Sequence, residues 1–308
     1  MRTCAAVAVT AAIALAGFTS PSVAAAPNTP SAPTNAASAS VPDHSVAVLR
    51  APRKFKGTLW PKRGRYGVGT IPRLTFNRPI PKKFRPSVVA NLSVTTSPHI
   101  VTGAWRWLSP SEVVFRPARF WPGHLKVTVT AKLTALNVPG APVARWGRKD
   151  LHVTWHTRRA LVVSINSQTR RGKVKIDQRV VRRFPIGTGK PGFTTRSGIK
   201  TIMDKIRVTR MTNIGITEDE VYDLQVPYAM RLTASGEFMH AAPWHYNIGA
   251  ANTSHGCTHL TMSDAAWIFS RASWGDPVIT RGTGRNMEIN NGPGALWNIP
   301  FKKFARGS

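Results

Sequence analysis

The chain has 308 residues, 42% of them hydrophobic, enough to bury more than one core of ordinary domain size. Its 43 lysines and arginines against 13 acids give a formal charge of +30, a field that attracts nucleic acid, anionic headgroups or a phosphate- and carboxylate-rich wall. Charge does not choose among these partners, but the N-terminal segment narrows them. Arg2 is followed by the uncharged, alanine-rich run Thr3 to Val23, and Ser22-Val23-Ala24 fits a small-residue cleavage site. Residues 1–26 therefore read as a secretory signal peptide. Gly17, Ser20 and Pro21 interrupt the run too early for a transmembrane helix. A lipoprotein signal would place cysteine after Leu15-Ala16-Gly17, where Phe18 stands. Export is expected, with an uncleaved anchor as the alternative. For an exported chain nucleic acid is not an expected partner, and no recognition helix, zinc-finger spacing or RNA-binding motif is present. Retention on an anionic cell wall is the simpler use of the charge.

Residues 27–45, rich in Pro, Ala, Ser, Thr and Asn, have too few large apolar residues to fold and read as a disordered linker. From 46 to 157 short β-rich runs alternate with turns, among them Gly69–Phe76, Glu112–Arg116, Lys126–Thr130 and Leu151–Trp155. Their alternation and spacing predict an antiparallel β-sandwich. A second β-rich domain is expected over 158–281, beginning with Leu161–Ile165. Its one helix signal is Ser263 capping Asp264 to Phe269. Residues 282–308 form an extension whose apolar segment Ala295–Phe301 is expected to dock on that second domain. The fold class is mainly β, with one short helix.

Chemistry concentrates between Phe238 and Leu260. Of the two cysteines, Cys4 leaves with the signal peptide, so Cys257 is the only thiol of the exported chain. An unpaired thiol in an oxidising compartment is a liability unless it bridges chains or reacts. A buried structural cysteine is the plainer alternative. The neighbours favour reaction: His240, His245, His255 and His259 lie close in sequence, and a thiol beside an imidazole is the pair needed for acyl transfer. The same residues are also a permitted zinc ligand set. Glu237 is the only nearby carboxylate, however, and no metalloprotease motif is present. No metal and no cofactor are expected, and His245 reads as a solvated loop residue.

The run His240, a loop, then Ser254-His255-Gly256-Cys257 resembles the signature of the L,D-transpeptidases, the YkuD family. Gly187-Thr188-Gly189, Thr195–Gly198, Thr201–Met203, Arg231–Gly236 and Leu296–Pro300 resemble further family segments. Gly103–Trp107 and Phe120–Pro122 resemble the immunoglobulin-like domain of the actinobacterial members. The resemblance implies a cysteine acyltransferase acting on peptidoglycan stem peptides, open to covalent inhibition by carbapenems. It assigns Cys257 as nucleophile, His240 as general base and the main-chain carbonyl of Ala241 as the group that orients the base. His255 and Gly256 shape the nucleophile loop. Tyr222 matches the tyrosine of a flap, while Met203, Ser235, Gly236, Trp244 and His259 fall on substrate-contacting stretches. Two departures stand out. The loop between His240 and Ser254 has thirteen residues, one fewer than the family pattern, and His259 replaces the usual asparagine. Around Tyr222, Glu218, Asp219, Glu220 and Asp223 form a local excess of acid, expected either to hold the flap by surface ion pairs or to attract the ammonium group of the stem's diamino acid.

Overall fold

The computed structural model describes residues 54–134, 136, 147–213 and 221–307. The signal-peptide and linker segments, and Glu218, Asp219 and Glu220, lie outside the described residues.

Alternating apolar residues build the N-terminal sandwich from two four-stranded sheets. One sheet has the order β1 (Gly57–Trp60), β3 (Arg73–Phe76), β6 (Glu112–Pro117), β5 (Gly103–Ser109). The other runs β2 (Arg65–Tyr66), β8 (Leu151–Thr157), β7 (Lys126–Ala131), β4 (Leu92–Ser97). In β7 the pattern Val127, Val129, Ala131 faces inward while Lys126, Thr128 and Thr130 face out, the period of two that a half-buried strand imposes. Trp121 and Trp155 meet edge to face at 5.7 Å in the middle of this core. A short helix, α1 (Arg85–Ala90), which the sequence pattern did not signal, leads into β4.

The second domain also pairs two sheets. The first has the order β11 (Arg179–Pro185), β10 (Arg171–Ile176), β9 (Leu161–Asn166), β17 (Pro277–Arg281), β12 (Gly198–Thr201). The second runs β13 (Asp204–Thr212), β14 (Asp223–Arg231), β15 (Phe238–Ala241), β16 (Thr258–Leu260). Leu161, Val163, Ile165, Met239, Ala241 and Leu260 share one buried cluster, so the two sheets face each other across a common core. Helix α2 (Met262–Arg271) packs Ala265 and Ile268 into it. Its cap is Thr261, not Ser263. The Thr261 hydroxyl accepts the Asp264 N–H at 3.1 Å, and Ser263 already lies in the first turn.

The C-terminal extension reaches further than the sequence suggested. Asn298 brackets Ile199 of β12, accepting its N–H at 2.7 Å and donating to its carbonyl at 2.8 Å. The following helix, α3 (Phe301–Ala305), and the turn before it also enter the sandwich. Trp297 donates to the Gly69 carbonyl at 2.8 Å, and Phe304 is fully buried beside Ile71 and Val114. Arg116 of β6 is the lock. Its guanidinium donates to the carbonyls of Leu296 and Ile299, both at 2.7 Å, and sits against the rings of Trp297, Phe301 and Phe304. Burial, with help from Arg106, lowers its pKa to about 10, so it stays charged at neutral pH.

Candidate active site

Parallel pairing of β15 with β16 sets His240 opposite His259 and Met239 opposite Thr258. Side chains on a strand alternate, so Met239 and Thr258 point to one face while His240 and His259 share the other. Cys257 immediately precedes β16 and has the parity of His259. One face of a two-strand pair thus carries both nucleophile and base. The imidazoles of His240 and His259 lie 4.9 Å apart, and Trp244 covers His240 at 6.2 Å.

The loop before Cys257 is held by hydrogen bonds that its sequence makes possible. Ser254 Oγ donates to the Cys257 carbonyl at 2.6 Å and accepts the Gly256 N–H at 3.1 Å. Gly256 sits at φ +116°, a region that side-chain-bearing residues rarely enter. Thr195 then clamps the loop from outside, donating to the Gly256 carbonyl at 2.9 Å while accepting the Gly189 N–H at 2.8 Å. The Gly187 main chain exchanges two hydrogen bonds with His259, at 3.1 and 2.8 Å. Gly189 has no room for a side chain, because a Cβ there would meet the Phe193 carbonyl oxygen at 1.8 Å. The Gly187-Thr188-Gly189 and Thr195 segments thus brace the nucleophile.

His240 is buried, and its Nδ1 lies 2.8 Å from the Ala241 carbonyl oxygen. A carbonyl only accepts, so Nδ1 carries the proton. The neutral ring then presents Nε2 as a bare acceptor, the state required of a base. Burial outweighs that hydrogen bond and lowers the imidazole pKa to about 4. The Cys257 residue is partly exposed, yet its sulfur is desolvated, which pushes the thiol up to about 11 against an opposing hydrogen bond from the Phe238 main chain. At neutral pH the pair is therefore thiol and imidazole, both uncharged. His259 is held lower still, at about 2, by burial and by the three other histidines. Its Nδ1 is buried without a hydrogen-bond partner among the described residues.

The remaining expected residues gather on the rim. His255 packs edge-on against Phe193 at 4.4 Å and tilts against Tyr222 at 5.1 Å. Tyr222 immediately precedes β14 in the β13–β14 hairpin, where its N–H donates to Asn213 Oδ1 at 2.7 Å. Its phenol pKa is raised by burial first and by the neighbouring Cys257 second. The Gly236 carbonyl lies 4.0 Å from Cys257 Sγ. Ser235 is tied to Asn291 through its N–H at 2.9 Å and its hydroxyl at 3.0 Å. Met203 bonds through its N–H to the Arg231 carbonyl at 2.7 Å and borders the turn at Gly292. His245 is not simply solvated: it is half-buried and stacks on His259 at 4.8 Å. Asp223 forms a two-pronged pair with Arg210 on the hairpin, both contacts at 2.7 Å, so this acid serves the hairpin. Among the described residues, no three His, Cys, Asp or Glu side chains converge in a metal-binding group.

One part of the site was not anticipated. Directly behind the nucleophile, Glu237 is buried between Lys200 Nζ at 2.5 Å and Arg196, which reaches it through Nη1 at 3.0 Å and through its N–H at 2.9 Å. Lys200 is wholly buried, and desolvation lowers its pKa despite the carboxylate. Arg196 also pairs with Glu288, which bonds Asn291 and so joins the network to the Ser235 turn. The signal for it was Lys200 within the otherwise inward-facing end of β12.

Comparison with known proteins bears on these features. Residues 158–280 match the L,D-transpeptidase catalytic domain (YkuD), and residues 29–137 match a bacterial Ig domain. L,D-transpeptidase 1 of Mycobacterium tuberculosis is 33% identical over 212 residues, covering 67% of this chain and 76% of that protein. Probable L,D-transpeptidase 3 of the same organism is 28% identical over 253 residues, covering 77% of this chain and 90% of that protein. Among solved structures, an L,D-transpeptidase in complex with imipenem superposes with a TM-score of 0.60 at 31% identity, covering 73% of this chain and 97% of that one. M. tuberculosis L,D-transpeptidase 3 in complex with a faropenem-derived adduct gives 0.58 at 29% identity, with the same coverage.

Proposed function

The chain belongs to the L,D-transpeptidases, and from that premise we propose that it forms 3→3 cross-links between peptidoglycan stem peptides through a Cys257 thioester. The observation that carries the assignment is the His240 tautomer, which leaves Nε2 as an acceptor on the strand face that also carries Cys257.

In the first half-reaction Cys257 Sγ attacks the carbonyl of the third, L,D-linked diamino acid of a tetrapeptide donor. A neutral thiol is a poor nucleophile, so proton transfer to His240 Nε2 accompanies attack. The C–S bond forms, the C–N bond to the terminal D-alanine breaks, and His240 returns the proton to the departing amine. The Gly256 N–H is already held by Ser254, so the N–H of Cys257 itself is assigned to the developing oxyanion. In the second half-reaction the side-chain amine of another stem attacks the thioester. His240 takes the amine proton and delivers it to the leaving thiolate. Carbapenems enter the same first step: their carbonyl acylates Cys257, and ring opening keeps the leaving nitrogen attached.

Tyr222, Met203, Ser235, Gly236, Trp244 and His259 surround the donor. His259 supplies a buried imidazole nitrogen where the family's usual amide would offer both donor and acceptor. The N-terminal segment and the charge of +30 support export and retention at an anionic wall. Incubation with purified tetrapeptide muropeptides, followed by mass spectrometry of the products, tests the function. Cross-linked dimers lacking one D-alanine are expected. Tripeptides alone would make the enzyme a carboxypeptidase of the same mechanism.

A further inference from the structure

The sheet that backs the active-site core has a second face. Along β9, Leu161, Val163 and Ile165 point into the core, so Val162, Ser164 and Asn166 point outward. Strand register lines up their outward neighbours in rows. Ile279, Ser164, Lys173 and Arg183 form one row across β17, β9, β10 and β11, and Arg281, Asn166 and Arg171 form the next. A groove of about 830 Å³ lies over these rows. Among the described residues, its walls include Arg171, Lys173, Lys175, Arg183 and Arg281, and no aspartate or glutamate.

Such an arrangement is unfavourable in isolation. Lys173 and Arg183 are directly opposed on adjacent strands, a like-charge pairing that weakens a sheet. Among the described residues, Lys173, Lys175, Arg183 and Arg281 make no ion pair. Arg182, one position away on the other face, is treated differently: it bonds Asp264 at 2.7 Å and lies over Trp267. The chain thus neutralises the cation that faces α2 and leaves its outward neighbours uncompensated.

We propose that this outer groove is a docking site for an extended, phosphate-bearing polyanion of the cell wall. Three features favour a polymer over a single anion. Arg171, Lys173 and Lys175 repeat along β10 at about 7 Å, so a line of anionic groups meets them in succession. Arg183 and Arg281 widen the cationic strip to either side of β10. Ser164, Asn166 and Thr169 lie among them, adding hydroxyl and amide groups that bond phosphate oxygens or sugar hydroxyls. The groove lies on the face of its sheet turned away from β15 and β16, so an occupant leaves Cys257 open. Only the choice of a wall polymer as occupant rests on the proposed cell-wall function; the preference for a polyanion follows from the groove.

The test compares two variants of the full chain that lose equal charge. One carries K173Q, K175Q, R183Q and R281Q. The other carries K62Q, R63Q, K302Q and K303Q, all exposed positions outside the groove. The probes are inorganic polyphosphate, poly-glutamate and single-stranded DNA, titrated at several salt concentrations, with imipenem acylation measured in parallel. The groove variant should bind polyphosphate about 10-fold or more weakly, with a log–log salt slope shallower by about 3 units, as expected for four lost contacts. The second variant should change far less, and both should acylate at the wild-type rate. Equal weakening in the two variants would reduce the groove to diffuse charge and overturn the proposal. Tighter binding of poly-glutamate than of polyphosphate would overturn the phosphate assignment, and preference for DNA over polyphosphate would overturn the wall polymer. Slowed acylation in the groove variant alone would overturn its separation from the active site. None of these results bears on the transpeptidase assignment, which wild-type acylation tests by itself.

Discussion

The cleft and the outer groove lie on opposite sides of one sheet pair, and they use the same residue types in opposite ways. In the cleft, burial suppresses charge on the reacting groups: the His240 imidazole is held at about 4 and the Cys257 thiol at about 11. Cations near them are spent on a buried carboxylate, as Lys200 and Arg196 are on Glu237. In the groove, Lys173, Arg183 and Arg281 remain exposed and without an ion pair among the described residues, the first two directly opposed. Solvation therefore decides what a titratable residue does here. A desolvated pair stores a proton transfer for the moment of attack, whereas a solvated row offers a standing field.

The comparison breaks most sharply at His240. H240Q keeps a polar side chain but removes the base, and acylation by imipenem should slow by at least ~10²-fold in a mass-spectrometric time course. H245Q, altering a ring that stacks on His259 on the rim of the site, should change the rate much less. Similar losses in the two variants would mean that the active imidazole is not His240.

A second, smaller effect is expected behind the nucleophile. Removing Lys200 takes from buried Glu237 the closer of its two cations and leaves only Arg196, so K200M should cost up to about 3 kcal/mol of stability, read by thermal or denaturant unfolding. Joint replacement in K200M/E237L should restore much of that loss, because no buried charge is then left alone with lysine's vacancy. An unchanged midpoint in K200M would show that the pair is solvated and that the cleft does not bury its charges.

The mildest effect is that of pH. Acylation requires neutral His240, so its rate should be level through neutral pH and fall on an acid limb near pH 4. Thiolate absorbance should emerge only as pH approaches 11. A resting thiolate–imidazolium pair would instead absorb at neutral pH. Stability carries the matching sign. His240 and His259 have folded-state pKa values below the ordinary 6.5, so their contribution is complete above 6.5 and is lost as pH falls, for His240 through about 4.

How much of this was legible in the sequence depended on whether the signal was local. The strands of the sandwich follow from alternation such as Val127, Val129, Ala131, and the Ser254–Cys257 segment carries its own hydrogen-bond chemistry. Helix α2 was visible from its apolar run, but its cap was not: the sequence pointed to Ser263, and the turn geometry selects Thr261. The Arg196–Glu237–Lys200 network joins residues up to 41 positions apart, and each alone looks like a surface charge. The same is true of Arg116, whose carbonyl partners Leu296 and Ile299 come from the far end of the chain. Lys173 and Arg183 are two of 43 basic residues in the sequence, and their opposition became visible only with the register of β10 and β11.

The most direct measurement of the central claim is intact-protein mass spectrometry after exposure to imipenem, on the full chain and on C257A. One drug equivalent on the wild type and none on C257A is the expected result. An adduct that survives in C257A would place the nucleophile elsewhere and contradict the account.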